Sequence, residues 1–128
     1  MVEDSILSLN ALNGLPGPFI KYFEDFIGPE GIYRLLADFE DKSAIAKCHI
    51  GVFSTKNKTL DIFGGSCFGK IVKPEGDMTF GWDACFQPDG FEKPFSCLDK
   101  IVKNRISHRA KAFDKLSKYL NETDQNVE

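Results

Sequence analysis

Between Thr79 and Gly90 the chain reads Thr-Phe-Gly-Trp-Asp-Ala-Cys-Phe-Gln-Pro-Asp-Gly, a run with the only tryptophan, two phenylalanines, two aspartates and two glycines. Gly81 sits between two aromatic residues, the pattern of a backbone that turns sharply and offers a flat face. Phe80 or Trp82 can stack there on a planar ligand, and Asp83 can accept its N–H groups. Stacking is tolerant of base identity, whereas edge contacts discriminate. Composition alone favours a plainer arrangement, a packed core tryptophan beside a turn aspartate. A second cluster, Asn104-Arg105-Ile106-Ser107-His108-Arg109-Ala110-Lys111-Ala112, opens a predicted helix. Ser107 is its N-cap, and His108 and Arg109 fall in the first turn, where positive charge opposes the helix dipole. That costs little at a surface. The placement gains a purpose if Arg109 and the free N–H groups meet an acceptor-rich ligand. A third candidate is the acidic pair Glu3-Asp4 near the start of a predicted strand. Neighbouring strand residues point to opposite faces, so only one of the two can face a given site. Such a carboxylate binds Mg²⁺ or activates water, although a solvated strand end is the simpler reading of the residues.

The elements that must position these groups follow from periodicity. Val2 to Leu9 reads as a strand, and Asn13 to Pro18 as a Gly/Pro loop. Pro18 suits the first turn of a helix to about Ile27, on which Phe19, Tyr22, Phe23 and Phe26 form an apolar stripe for the core or for a dimer contact. Gly28-Pro29 stops it, and a second helix runs to about Ala37 with Ile32, Leu35, Leu36 and Phe39 as its apolar face. Ser43 to Phe53 alternates, with Ala44, Ala46, Cys48, Ile50 and Val52 on one face. His49 lies on the mixed face and is most simply a surface or packed histidine. A polar hairpin loop follows from Ser54 to Thr59. Two strand pieces come next, Leu60 to Phe63 and Phe68 to Val72, interrupted at Gly64-Gly65 by an expected bulge or bend. Lys73 to Gly76 is a turn. After an irregular stretch and a short helix, the last helix covers Ser107 to Leu120, with Ile106, Ala110, Phe113, Leu116 and Leu120 on one face. Asn121 to Glu128 is a polar tail expected to be disordered.

The length of 128 residues bounds the chain to one domain. The net charge of −3 and the lack of a Lys/Arg block argue against non-specific nucleic-acid binding. They leave room for a small anionic ligand in a locally positive pocket. No stretch approaches the ~20 apolar residues of a membrane span, and no signal peptide is legible. Cys48, Cys67, Cys85 and Cys97 are widely spaced with no CxxC pair, so buried, reduced cytosolic thiols are expected and zinc ligation is not.

The FGWD and SHR signatures, at Phe80–Asp83 and Ser107–Arg109, resemble those of the inosine triphosphate pyrophosphatase family, the non-canonical purine nucleoside triphosphatases. Further stretches agree, in order. Val2-Glu3-Asp4-Ser5 is similar to that family's VEDT/VEDS step. Asn13 to Lys21 resembles its GLPGPYIKWF segment, and Phe39 to Ala44 and Gly69 to Val72 match as well. The resemblance implies an α/β fold, an elongated, twisted mixed sheet flanked by helices. It also implies hydrolysis of ITP, dITP or XTP between the α- and β-phosphates, giving a monophosphate and pyrophosphate. Mg²⁺ is the implied cofactor, with Mn²⁺ as an alternative, and a cytoplasmic homodimer the implied assembly.

By resemblance, Asp4 is the carboxylate near the metal and attacking water, and Glu3 its acidic neighbour at the metal. Lys21 and Lys103 lie near the phosphates, Phe80, Gly81 and Trp82 hold the ring, and Asp83 reads its N1–H side. Ser107, His108 and Arg109 complete the substrate site. A donor such as His108 or Arg109 gains a hydrogen bond from a 6-oxo group. Facing an amino group it opposes two donors, at ~1–3 kcal/mol each. The sequence departs from the family in places. It contains no TGNxxK phosphate loop and no preceding metal carboxylate, which implies a member truncated at its N-terminus. Cys67, Glu75 and Cys97 replace the family's Thr, Arg and Glu. A missing central strand would also leave an exposed edge. The alternative is therefore an inactive homologue that binds purine nucleotides or pairs with a full-length copy.

Overall fold

The computed structural model describes residues 1–79 and 81–125. Phe80, the expected stacking partner, lies outside them, as do the last three residues of the expected tail. The architecture is α/β. Five strands, β1 (Val2–Leu9), β2 (Pro16–Gly17), β3 (Ser43–Ser54), β4 (Thr59–Ile71) and β5 (Phe86–Pro88), form a sheet in the order β2-β1-β3-β4-β5. Every pairing in it is antiparallel. Among the described residues three helices accompany it: α1 (Ile20–Leu35), α2 (Lys100–Ile106) and α3 (His108–Gln125).

The alternation along β1 and β3 decides what each face does. Register pairs Leu7 with Ala46, Leu9 with Ala44 and Ser5 with Cys48. This face is the covered one, because Leu7, Leu9, Ala44, Ala46, Cys48 and Ile50 are all buried beneath the helices. The main core joins Leu7, Leu9, Ala44 and Ala46 to Ile20, Ile32 and Leu36 from the α1 side and to Trp82, Phe86 and Phe95. A second cluster seats Ala112 and Leu116 of α3 on Cys48 and Ile50. The opposite face leaves Phe53, Leu60, Ile62 and Phe68 exposed. β2 pairs with β1 only at Leu7 and Ser8, so the outer edge of β1 from Val2 to Ile6 carries no strand among the described residues.

Five expectations change. The glycine pair does not interrupt the second long strand, and β4 is continuous through Gly64 and Gly65. Gly65 instead admits α3. A Cβ there would lie 2.2 Å from the His108 carbonyl oxygen and 2.6 Å from the Ala112 nitrogen, so only a residue without a side chain lets the helix backbone settle on the strand. The two helices expected on either side of Gly28-Pro29 form one run kinked at Gly28, whose φ of 65° and ψ of −177° are non-helical. The kink follows from Pro29, which cannot continue the hydrogen-bond ladder. Of the aromatic stripe, only Phe23 packs on the core. Phe19, Tyr22 and Phe26 are exposed, Phe26 by 84%, because α1 docks through Ile20 and Ile32. On α3 the inward line is His108, Ala112 and Leu116, and Leu120 points outward. α3 also continues past Leu120 to Gln125, so the part of the expected tail from Asn121 to Gln125 is helical.

α3 caps the free edge of β4. Lys111 Nζ donates to the Ser66 carbonyl at 2.9 Å and Lys115 Nζ to the Gly64 carbonyl at 2.7 Å. Tyr119 OH donates to Asp61 Oδ2 at 3.0 Å. These bonds fix the start of α3, and hence His108 and Arg109, against the sheet. Cys48, Cys67 and Cys85 are buried and Cys97 is exposed. Among the described residues no helix is long and apolar enough to cross a membrane.

Candidate functional site

The turn after β4 and the start of α3 meet. Gly81 has a φ of +57°, a left-handed conformation that glycine adopts without strain. It is followed by Trp82 and by a 3-10 turn, Asp83–Cys85, that leads into β5. The turn throws Trp82 inward. Its indole is 5% exposed, packs edge-on against Phe86 at 5.6 Å between ring centres, and stacks on the His108 imidazole at 5.3 Å and 29°. Phe95 lies over His108 in turn, at 6.1 Å and 17°. Trp82 is thus a core residue whose ring supports the histidine, the plainer arrangement that composition favoured.

α2 ends where α3 begins. Ser107 closes α2 and caps α3, its hydroxyl accepting from the Ala110 N–H at 3.1 Å. His108 is 6% exposed. Its Nε2 lies 3.2 Å from the Ser5 hydroxyl of β1. Its Nδ1 is buried with no hydrogen-bond partner among the described residues. Burial, reinforced by the charges of Lys103 and Arg109, drives the imidazole pKa down to about 4. The ring is therefore neutral near pH 7, with one nitrogen a donor and the other an acceptor.

Arg109, one residue on, points to the sheet edge. Its Nε donates to Glu3 Oε1 at 2.5 Å and its Nη2 to Oε2 at 3.3 Å, while the guanidinium covers the Phe113 ring at 4.9 Å. The hydrogen bond from Arg109 holds the Glu3 carboxyl below its usual range and raises the guanidinium's pKa. Glu3 also lies 3.8 Å from the Cys48 thiol, which burial and the Glu3 charge push up to about 11. Asp83 is bound by Lys103 from α2, the two side chains being 15% and 31% exposed.

Trp82, Asp83, Lys103, His108, Arg109 and Ser5 border one cavity of about 1170 Å³. Further cations, Lys100, Arg105 and Lys111, line it, and so does Glu24 of α1. The cavity therefore combines a neutral histidine, carboxylates at one wall and a positive rim. Such a set can grip a ligand with a polar planar part and an anionic part.

Of the residues read from sequence, Gly81, Trp82, Asp83, Lys103, Ser107, His108 and Arg109 come together here. Glu3 reaches the cluster through Arg109. Asp4 does not, for it stands opposite His49 on the uncovered face of the sheet, solvent-exposed. Lys21 is exposed on α1 and is not among the cavity's lining residues. Glu3 and Asp4 thus do not converge on one divalent cation, since the Glu3 oxygens are engaged by Arg109 and Asp4 projects the other way. The described residues hold no group of three or more His, Cys, Asp or Glu placed to ligate a metal. Sequence reasoning missed Ser5, Glu24 and Phe95. Ser5 was accessible from alternation, since it shares a face with Glu3. Glu24 and Phe95 carry no local signal. Of the three departures from the family pattern, Cys67 is buried, Glu75 pairs with Lys93 at 2.8 Å on the surface, and Cys97 is exposed.

The comparisons with known proteins bear on the fold and the family. The chain is 51% identical over 120 residues to the inosine triphosphate pyrophosphatase of Candida albicans, a match that covers 94% of this chain and 59% of that protein. It thus spans about three-fifths of the relatives' length. Among solved structures, the HAM1 protein of Coxiella burnetii superposes with a TM-score of 0.85 at 32% identity, over 94% of this chain and 66% of that one. The Ham1 protein of Staphylococcus aureus gives 0.83 at 29% identity, with the same coverage. The Ham1 family profile matches residues 1–119, and the chain belongs to that family.

Proposed function

We propose that the cavity is the nucleoside-binding site of a nucleoside-triphosphate pyrophosphatase that acts on non-canonical purine nucleotides such as ITP, dITP and XTP. The observation that carries the reading is His108, a neutral imidazole buried beneath Trp82, whose Nδ1 has no hydrogen-bond partner among the described residues. A buried polar atom without a partner costs about 1–3 kcal/mol, so a ligand that supplies one is favoured by a similar amount. When the Ser5 hydroxyl donates to Nε2, the ring proton sits on Nδ1 and makes it a donor. A 6-oxo purine accepts that bond. A 6-amino purine opposes donor to donor, and discrimination of about tenfold or more follows. Asp83, oriented by Lys103, accepts from the N1–H on the same edge. Lys100, Arg105 and Lys111 offer positive charge to the phosphates.

The relatives named inosine triphosphate pyrophosphatase support the reaction class. In this reading Asp4 and Lys21 keep the water-orienting and phosphate roles that the resemblance gives them, although neither lines the cavity. Mg²⁺ or Mn²⁺ is the cation of the resemblance, and among the described residues the carboxylates do not by themselves form its site. Phe19, Tyr22 and Phe26, exposed together on one helix, support a homodimer as the assembly. The test is pyrophosphate release from ITP and from ATP by the purified chain with Mg²⁺. Release that prefers ITP and is lost in Asp4→Asn supports the assignment. Failure of a folded chain to release pyrophosphate from ITP contradicts it.

A further inference from the structure

We infer that Glu24 is a specificity-determining residue of this cavity, its carboxylate accepting a hydrogen bond from an N–H or O–H donor on the nucleoside half of the ligand. The inference rests on the nucleotide reading of the cavity and deepens it. Glu24 belongs to α1, yet its carboxyl lies against the backbone of the Gly81 turn. A Cβ on Gly81 would stand 1.8 Å from Glu24 Oε1 and 2.8 Å from Cδ. The missing side chain of Gly81 is what lets a carboxylate into this wall. Glu24 lines the cavity beside Asp83 and Trp82. Asp83 has Lys103 as its counter-ion, and Glu3 has Arg109. Glu24 makes no hydrogen bond or ion pair among the described residues, and its nearest charges include the like-charged Asp25 and Asp83 as well as Lys21.

A half-buried carboxylate in that position repels anions. It is a poor neighbour for phosphate and a good acceptor for a neutral donor. The two halves of a nucleotide therefore respond to it with opposite sign. Removing the charge weakens the grip on a donor of the base or ribose. The same change leaves the cation-lined rim at least as attractive to a phosphate. A residue that merely braced the turn would alter both together.

The experiment is calorimetric titration of the full chain with ITP, dITP and pyrophosphate, in wild type, Glu24→Ala and Glu24→Gln, with circular dichroism to confirm folding. E24A should bind ITP about tenfold more weakly or worse, and E24Q, which keeps a neutral acceptor, should fall between it and wild type. Pyrophosphate affinity should be unchanged or tighter in both. Gly81→Ala, which displaces the carboxylate, should reproduce the ITP loss. With dITP, a persisting loss assigns the donor to the base or the 3′-hydroxyl, and a vanished loss assigns it to the 2′-hydroxyl. Equal ITP affinity in E24A and wild type overturns the inference and leaves the nucleotide reading intact. Parallel weakening of ITP and pyrophosphate also overturns it, in favour of a bracing role. A wild-type chain that binds pyrophosphate but no ITP overturns the nucleotide reading itself, and the inference with it.

Discussion

Acidification should destabilise this chain through His108, and the size of the effect follows from its burial. The imidazole pKa falls from 6.5 to about 4 in the folded state, because desolvation and then the nearby Lys103 and Arg109 charges disfavour the cation. The unfolded chain therefore binds the proton first as pH drops. The histidine's contribution to stability is complete above pH 6.5 and drains away as pH falls toward 4. A tenfold difference in proton affinity is worth about 1.4 kcal/mol, so between pH 7.5 and 4.5 the wild type should lose ~2–3 kcal/mol from this one residue. Urea unfolding followed by Trp82 emission measures it, with His108→Gln as the reference that cannot titrate. The wild-type curve should be steeper than the variant's by that amount. The ring proton resonances give a second readout independent of the variant's folding. The His108 ring should stay neutral to below pH 5. Parallel stability profiles, or a His108 ring that titrates near 6.5, would refute the claim that His108 is held neutral.

Other expectations are simpler. Gly65→Ala should cost ~1–3 kcal/mol in urea unfolding, because its Cβ has to push the α3 backbone off β4. Leu116→Ala removes a buried anchor of α3 and should cost ~2–5 kcal/mol by the same assay. Lys103→Met leaves Asp83, 15% exposed, without its counter-ion; ~1–3 kcal/mol of stability should go, and ITP affinity with it. Arg109→Ala removes a guanidinium whose side chain is 62% exposed, so the change in stability should be only ~0.2–1 kcal/mol and should shrink in high salt.

Much of the fold was legible because its signals are local. The alternation of Ala44, Ala46, Cys48 and Ile50 gave β3 and its covered face, and Val2 to Leu9 was legible as a strand. What failed was tertiary. Gly64-Gly65 resembles a strand breaker until the helix above Gly65 is known, since a glycine kept for close approach and one kept for a bend look alike in sequence. Phe19, Tyr22 and Phe26 have the spacing of a core stripe, but spacing does not say which side of a helix docks. The site divides in the same way. Trp82, Asp83, Ser107, His108 and Arg109 stood out as two compact clusters, and the fold joins them. Glu3-Asp4 was correctly limited by alternation to one residue per face, and it is Glu3 that faces the cluster. Glu24 escaped notice because its carboxyl enters through a gap that only the folded Gly81 turn creates.

The most direct test of a purine-nucleotide site is titration of the intact chain with ITP and with ATP, followed by emission of Trp82, the sole tryptophan. The indole stacks on His108, so a ligand that engages Nδ1 should perturb it. A site selective for 6-oxo purines gives a saturable change with ITP, at an affinity about tenfold or more above that for ATP. Equal affinity for the two, or no saturable change from folded protein, would contradict it.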